Sequence, residues 1–263
     1  MNIPAIRFDD GAAYERYMGV WSRLAAGPFL DWLAPGPGRR WLDVGCGNGA
    51  FTGLLLERFA PASVHGVDPS AEQLAHARAQ PDLAAAVFEQ GDAMALPYTD
   101  ECFDVAVMPL VIFFVPEPER GVAEMRRVVA PGGVIAAYAW DMPGGGFPYF
   151  PLIAELRAMG KPVPAPPSAN ASRLDRLQAL WQEAGLADVA TCGITVQRSF
   201  DDFDDYWRTV LAAPSIGALL AGLTTAETAR VQAAARAGMT SDANARLACH
   251  GRANAVKGTV PLR

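Results

Sequence analysis

Hydrophobic residues along this chain fall into short continuous runs and into longer segments with apolar positions three or four residues apart. Short runs are typical of strands buried on both faces of a sheet, and the longer segments of helices with one buried face. The first half predicts five strands, at residues 39–45, 63–70, 86–90, 102–108 and 131–140. The helices predicted between them lie at residues 50–60, 70–80 and 116–130. This succession favours an α/β fold with a doubly wound, mostly parallel sheet.

After Trp140, segments rich in glycine and proline interrupt this pattern. Further helices are predicted at residues 149–159, 172–186, 201–211 and 225–239. Two late strands, at residues 188–200 and 245–258, are expected to pair antiparallel and close one side of the sheet. We therefore expect a helical segment, an α/β core, a helical insertion and a last core strand, at residues 1–35, 36–200, 201–244 and 245–263.

Composition narrows the classes of function. A hydrophobic fraction of 51% supports a substantial core. The net charge of -6 disfavours nucleic-acid binding, which depends largely on clustered Lys and Arg. The longest apolar run, residues 105–115, is far shorter than the ~20 residues that cross a bilayer. The chain shows no signal-peptide pattern, and its four cysteines form no CxxC pair, so we expect a cytoplasmic protein with reduced thiols and no metal site.

The segment WLDVGCGNGAFT, residues 41–52, joins the first predicted strand to the first predicted helix. Gly45 and Gly47 allow a tight turn whose backbone can approach a nucleotide-like cofactor closely. The segment also satisfies the permissive dinucleotide pattern G-x-G-x-x-G/A. The glycines alone therefore do not choose between a dinucleotide and another adenosine compound.

Two aspartates near this turn separate the two possibilities. Asp43 precedes Gly45, where its carboxylate would repel a pyrophosphate but would suit the ammonium group of an amino-acid moiety. Asp68 ends the second predicted strand, a position from which a carboxylate can hold both hydroxyls of a ribose. Together they favour an adenosine compound that also carries a cation.

Four segments, LDVGCGNGAFT, GVDPS, GDAMALPYTDECFDVAV and RRVVAPGGVIAAYAWD, occur in this order along the chain. They resemble the successive motifs of class I S-adenosylmethionine-dependent methyltransferases, and most closely the ubiquinone/menaquinone-biosynthesis-like branch, methyltransferase type 11. The resemblance covers residues 14–141. It implies a Rossmann-like, seven-stranded sheet whose last strand is antiparallel, with an N-terminal helical flap and a helical insertion before that strand. It also implies S-adenosyl-L-methionine as cofactor, S-adenosyl-L-homocysteine as product and a small-molecule acceptor.

The same resemblance assigns residues to the parts of the cofactor. Gly45, Gly47 and the turn around Cys46 are expected to lie against the methionine part, and Asp68 is expected to hold the ribose. Met108, at the end of the fourth predicted strand, is expected near the sulfonium. Met108 could equally be an ordinary core residue, and Cys46 is expected to fill space without acting as a nucleophile.

The adenine is expected at the ends of the second and third predicted strands. Pro69 and Gln73 are expected to line its side, and Asp92 to accept a hydrogen bond from its exocyclic amine, with the N–H of Ala93 nearby. Without the resemblance, Asp92 could be an ordinary turn aspartate.

Aromatic residues near the N-terminus form one stripe of a predicted helix. Tyr14, Tyr17 and Trp21 are spaced by three and four residues, and Arg23 follows. The stripe fits an amphipathic helix packed on the domain. It fits equally a flap with its rings near the sulfonium and Arg23 on the cofactor carboxylate.

The implied reaction is an in-line displacement of the methyl group from the sulfonium, for which alignment supplies most of the catalysis. A general base is needed only for a hydroxyl or an acidic carbon. Tyr14, Tyr17 and His250 are weak candidates, so the catalytic residue is left unassigned. The aromatic residues Tyr206 and Trp207, together with the segment 144–150, fit either an apolar or aromatic acceptor or the core of the insertion.

Two other functions use the same turn. An NAD(P)-dependent oxidoreductase is disfavoured by Asp43 and because the chain has no recognisable Tyr-x-x-x-Lys pair. A non-catalytic S-adenosylmethionine-binding module remains compatible with the motifs. After the fourth predicted strand, VMPLVIFF lacks the Asn/Asp-Pro-Pro-Tyr-like motif of many enzymes that methylate exocyclic or amide nitrogens, which points away from DNA bases.

Overall fold

A computed structural model describes residues 15–213 and 216–263, so Tyr14 lies outside the described residues. Within these ranges the chain forms one sheet of eight strands. They are β1 Arg40–Val44, β2 Ser63–Asp68, β3 Ala86–Gln90, β4 Phe103–Pro109, β5 Val129–Trp140, β6 Ala187–Phe200, β7 Thr240–Ser241 and β8 Leu247–Thr259.

Helices connect most of these strands. The α-helices of the described residues are α1 Val20–Leu33, α2 Ala50–Arg58, α3 Ala71–Arg78, α4 Pro118–Val128, α5 Phe150–Ala158, α6 Leu174–Glu183, α7 Phe203–Leu211, α8 Ile216–Ala221 and α9 Thr225–Ala237. A π-helical turn, Glu15–Gly19, leads directly into α1. No helix in the described part of the chain is both long and apolar enough to cross a membrane.

The sheet has the order β3-β2-β1-β4-β5-β8-β6, and β7 pairs with β8 outside this path. Strands β1 to β5 pair in parallel, and β8 runs antiparallel between β5 and β6. The expected mostly parallel sheet with an antiparallel last strand is therefore confirmed, as is the antiparallel pairing of the two late strands. The strand β7 and the helix α8 were not predicted, because two and six residues are too few to show a period.

Strand β1 lies at the centre of the core. Trp41, Leu42, Asp43 and Val44 are all buried, as expected for a strand with both sheet faces covered. The helix that follows β2 begins as predicted, because the Ser70 side chain accepts a hydrogen bond from the N–H of Gln73 and caps α3.

The last of the three helices between β6 and β8, α9, is attached to α5 and to the residues that follow it. Thr224 and Glu227 form a reciprocal capping box at the start of α9. Glu227 also pairs with Lys161 at 2.7 Å, and Arg230 of α9 pairs with Glu155 of α5 at 2.6 Å. Both ion pairs therefore tie α9 to the segment that follows β5.

The parallel sheet leaves no room beside Gly133 in β5. A β-carbon there would lie 2.6 Å from the carbonyl oxygen of Asp104 and 2.8 Å from that of Ala130. We expect Gly133→Ala to lower the free energy of unfolding by about 1–3 kcal/mol, because backbone must shift to make space. A β-carbon added to Gly193 in β6 would meet no atom within 4 Å, so Gly193→Ala should change the free energy of unfolding by less than about 0.5 kcal/mol. Urea denaturation measures both, and equal effects would contradict the crowding of β5.

Candidate cofactor site

A cavity of about 400 Å³ lies at the carboxyl ends of β1, β2 and β4. Strand β1 pairs with β2 on one side and with β4 on the other, so the chain reverses its direction of progress across the sheet here. Open α/β sheets bind their ligands at such a switch point. The position of the cavity therefore follows from the strand order.

The turn after β1 forms one wall of this cavity. Gly45 has a φ of 76°, in the left-handed region that favours glycine. A β-carbon at Gly45 would lie 2.4 Å from a methyl carbon of Val111, which follows β4. The glycine therefore lets the chain turn and lets the two strand ends approach each other at the cavity.

The N–H groups of the glycine turn are taken up within the protein. Gly45 and Cys46 donate to the carbonyl oxygen of Val67, at 2.7 and 3.1 Å. Gly47 donates to Oδ2 of Asp68 at 2.9 Å. A pyrophosphate site at a helix N-terminus needs such N–H groups as donors. In this turn the N–H groups of Gly45, Cys46 and Gly47 already have acceptors, one of which is a carboxylate.

Asp43 brings an incompletely satisfied carboxylate to the cavity. Its side chain is fully buried, and Oδ2 accepts a hydrogen bond from the hydroxyl of Thr52 at 2.7 Å. Its Oδ1 is also buried and has no hydrogen-bond partner in the part of the chain that the structure describes. Burial raises the pKa of Asp43 to about 7, against the lowering effect of the Thr52 bond. A buried acceptor of this kind suits a ligand cation that can donate hydrogen bonds.

Asp68 presents a second carboxylate from the end of β2. Its two oxygens accept one N–H each, from Gly47 and from Ser70, both at 2.9 Å. Burial raises the pKa of Asp68, and the two backbone hydrogen bonds oppose this shift. Each carboxylate oxygen has two lone pairs, so each keeps one for a ligand hydroxyl. The two backbone bonds fix the orientation of the carboxylate at the end of β2.

The cavity wall at the end of β4 differs from the one expected. Met108 is fully buried and does not line the cavity, and its Cε would lie 3.5 Å from a β-carbon at Gly121 of α4. Side chains alternate along a strand, so Met108 points to the helix on the other side. The residues that line the cavity are Pro109, Leu110 and Val111.

Leu110 has an unusual backbone for a residue with a large side chain. Its φ is 59°, and its N–H donates to the carbonyl oxygen of Tyr138 at 2.7 Å. Residues held in this left-handed region are often found at functional sites. The turn keeps Leu110 at the cavity, and Tyr138 of β5 lines the cavity as well.

Helix α1 covers part of the cavity. Ser22, Arg23 and Ala26 all line it, and the backbone carbonyl of Ser22 accepts a hydrogen bond from the Tyr138 hydroxyl at 3.4 Å. Arg23 is exposed and lies at the rim. The predicted N-terminal helix therefore brings one cation to the site.

The aromatic stripe of the same segment faces elsewhere. Trp21 is fully buried and meets Trp140 and Tyr149 edge-on, at 6.3 Å in each case. The ring of Tyr17 stacks on Tyr149 at 4.4 Å. Neither Tyr17 nor Trp21 lines the cavity. In the structure these two predicted site residues belong to a packed aromatic cluster with Tyr206.

Of the residues expected around the adenine, some line the cavity and others lie outside it. Pro69 and Gln73 line the cavity, and Cys46 lines it while packing into a small apolar cluster. Asp92 and Ala93 follow β3 outside the cavity lining. Asp92 is exposed, and its Oδ1 accepts the N–H of Met94 at 2.8 Å, which is the geometry of an aspartate turn.

The weak candidates for a general base are not brought to the cavity. His250 is exposed on β8, where it pairs in register with Gln197 of β6. Tyr17 is in the aromatic cluster, and Tyr14 is not described. No group of three or more possible metal-ligating side chains is found within the described ranges.

Several lining residues were missed by the reasoning from sequence. They are mostly small or apolar residues of the turns and helices around the glycines and after β4, namely Ser22, Ala26, Asn48, Ala50, Phe51, Leu54, Ser70, Pro109, Leu110, Val111, Phe114 and Tyr138. The rule that ligands bind at carboxyl strand ends could have found Leu110 and Val111, had β4 been extended by one residue to Pro109.

Comparison with known proteins agrees with this geometry. Residues 42–137 match the family described as Methyltransferase domain. A demethylmenaquinone methyltransferase of Deinococcus radiodurans is 36% identical over 128 residues, 48% of this chain and 52% of that protein. A malonyl-[acyl-carrier protein] O-methyltransferase of Pectobacterium atrosepticum is 37% identical over 130 residues, 47% of this chain and 50% of that protein. The chain spans about half the length of these two curated relatives.

Residues 42–137 form a methyltransferase domain. Its fold matches that of a Haemonchus contortus phosphoethanolamine N-methyltransferase solved with phosphomonomethylethanolamine and S-adenosylhomocysteine, with a TM-score of 0.61 and 17% identity. That match covers 97% of this chain and 58% of the other. The methyltransferase domain thus has the Rossmann-like fold of these solved methyltransferases. The family resemblance expected from the sequence motifs is confirmed over residues 42–137.

The pKa of Asp43 makes the stability of the methyltransferase domain depend on pH. The folded protein holds this proton up to about pH 7, whereas an unfolded chain releases it near pH 4. Folding therefore takes up a proton between these values, so the free energy of unfolding should fall as pH rises through this window. The expected slope is at most about 1.4 kcal/mol per pH unit.

Asp43→Asn removes this titration, so its stability should decline less than that of the wild type between about pH 4 and about pH 7. Urea denaturation of both ligand-free proteins at several pH values measures the difference. Identical pH slopes would show that Asp43 titrates in the folded protein as an ordinary exposed carboxylate does.

Proposed function

We propose that this protein transfers a methyl group from S-adenosylmethionine to a small-molecule acceptor. The observation that carries the proposal is the pair of carboxylates beside the glycine turn, buried Asp43 and half-buried Asp68, where the N–H groups of the turn glycines Gly45 and Gly47 already have acceptors. An ammonium group and a ribose diol both complement carboxylates, whereas a pyrophosphate does not. The match of residues 42–137 to a methyltransferase family supports the same function.

The residues present fit the cofactor. The orphaned Oδ1 of Asp43 would accept a hydrogen bond from its ammonium group, and the remaining lone pairs of Asp68 would accept its ribose hydroxyls. Arg23 at the rim would pair with its carboxylate. When bound, S-adenosylmethionine supplies a methyl group activated by attachment to a sulfonium. We assign the adenine edge to Pro69 and Gln73, which line the cavity, whereas Asp92 lies outside it.

The rest of the cavity is predominantly apolar. Leu110, Val111, Phe114 and Tyr138 form the wall beside the end of β4, and α1 covers it. These residues would exclude water and keep the acceptor aligned, which accounts for most of the rate that such a transfer needs. We infer an acceptor with an apolar or aromatic surface, since that is what this wall complements.

Two tyrosines of the segments that the sequence assigned to the acceptor do not face it. Tyr149 and Tyr206 are buried, at 0% and 2% exposure, in the aromatic cluster. Burial raises the pKa of both phenols, so neither suits a general base. We therefore propose that alignment of the two reactants drives the transfer, and that neither tyrosine removes a proton from the nucleophilic atom of the acceptor.

Ligand-induced stabilisation tests the proposed cofactor. S-Adenosylhomocysteine at about one hundred times its dissociation constant should stabilise the protein by about 2.7 kcal/mol, which thermal unfolding detects as a higher midpoint. NADH at the same concentration should leave the midpoint unchanged, because the N–H groups of Gly45, Cys46 and Gly47 already have acceptors and the nearby carboxylates repel its phosphates. Stabilisation by NADH alone would replace this proposal with an oxidoreductase. Transfer of labelled methyl to a panel of small acceptors then separates an enzyme from a binding module.

Two variants separate the roles of the carboxylates. Asp68→Ala should weaken the binding of S-adenosylhomocysteine by about 1.5–3 kcal/mol, and that of 5′-methylthioadenosine similarly, because both ligands carry the ribose. Asp43→Asn should weaken only S-adenosylhomocysteine, since 5′-methylthioadenosine has no ammonium group. Calorimetry with both ligands measures this. Unchanged affinity in Asp68→Ala would remove this residue from the site, and equal losses in Asp43→Asn would indicate a general disturbance of the turn.

A further inference from the structure

Tyr149 lies where the N-terminal segment meets the chain that follows β5. It directly precedes α5 and its side chain is fully buried. Its ring stacks on that of Tyr17 at 4.4 Å and 13°, and meets that of Trp21 edge-on at 6.3 Å. Such ring contacts add to the stabilisation from buried area. Tyr149 therefore binds both the π-helical turn and the first turn of α1.

The hydroxyl of Tyr149 joins the same elements by hydrogen bonds. It accepts from Nε1 of Trp21 at 3.0 Å and donates to the carbonyl oxygen of Tyr17 at 3.1 Å. The same carbonyl oxygen accepts from Arg198 of β6 at 3.4 Å. Removing one member of a buried network leaves its partners unsatisfied, which costs more than a surface bond. The hydroxyl thus joins residues on both sides of the start of α1, Tyr17 before it and Trp21 within it.

The start of α1 in turn determines one wall of the cavity. Ser22 and Arg23 follow Trp21 directly, and both line the cavity. Successive side chains on a helix differ in direction by about 100°. When Trp21 is held in the aromatic cluster, Ser22 and Arg23 point away from that cluster, and both lie at the cavity.

We propose that Tyr149 is a positioning residue that holds α1 over the cofactor. Through it, the segment between β5 and α5 controls how tightly the cofactor is retained, although Tyr149 itself does not line the cavity. This inference rests on the proposed function, because the retained ligand is the methyl donor or its product. It goes further by connecting the segment that follows β5 to helix α1, which covers part of the cofactor site.

Tyr149→Phe tests the proposal because it removes the hydroxyl and keeps the ring. We expect the affinity for S-adenosylhomocysteine to fall about tenfold, mainly through faster dissociation, as measured by calorimetry and stopped-flow fluorescence. Tyr206→Phe is the matched control. Tyr206 is also buried, and its ring centroid lies 5.9 Å from that of Tyr149. Its other ring contacts are with Phe200 and Phe203, not with residues of α1. Its affinity should stay within about twofold of wild type, and an equal loss in both variants would overturn the proposal.

A second measurement does not depend on a ligand. Hydrogen exchange of the α1 amides, residues 20–33, should speed up in ligand-free Tyr149→Phe but not in Tyr206→Phe. Unchanged exchange in Tyr149→Phe would overturn the inference, whereas failure of the wild type to bind S-adenosylhomocysteine would overturn the proposed function instead. In an Arg23→Gln background, Tyr149→Phe should weaken binding much less than in wild type. A full additional loss would show that Tyr149 does not act through the helix.

Discussion

The site depends on the burial of the Asp43 carboxylate, which is incompletely hydrogen-bonded. A charge within the core is costly unless hydrogen-bond donors surround it, and among the described residues only one oxygen of Asp43 has a donor, the hydroxyl of Thr52 of α2. The pKa of about 7 expresses this cost. The strand, the turn and α2 are therefore arranged around a group that is better satisfied with a cationic ligand than without one. This is a common relation between stability and function, because a binding site must keep some of its polar groups unsatisfied until the ligand arrives.

The glycine turn determines which ligand can meet that need. In a phosphate-binding loop, backbone N–H groups point at the ligand. In this protein Gly47 donates instead to Asp68, and the carboxylate keeps lone pairs for hydroxyl groups. The same pattern of glycines thus serves an opposite electrostatic purpose. The difference lies in the acceptors that the neighbouring strand β2 provides, namely the carbonyl of Val67 and the carboxylate of Asp68.

The elements outside residues 42–137 contribute the other walls. Helix α1 covers the cavity, and the aromatic cluster behind it connects this helix to Tyr149, β6 and α7. These parts lie outside the match to the methyltransferase family. A common cofactor site with a separately built cover is consistent with acceptor specificity that differs between members, since the fold supplies the cofactor end and added segments supply the rest.

The sequence by itself determined the order of most strands and helices, the glycine turn and the two aspartates, because hydrophobic period, turn chemistry and local spacing are properties of neighbouring residues. The antiparallel last strand was implied by the family resemblance of the sequence motifs. The sequence also placed Arg23 on a helix near the site. Only the tertiary structure decided that Met108 faces α4, that Tyr17 and Trp21 pack against Tyr149, and that Leu110 and Val111 line the cavity. Those outcomes depend on which way a strand's alternation points and which distant ring fills a space. Both are set by packing between segments far apart in the chain, which no local pattern records.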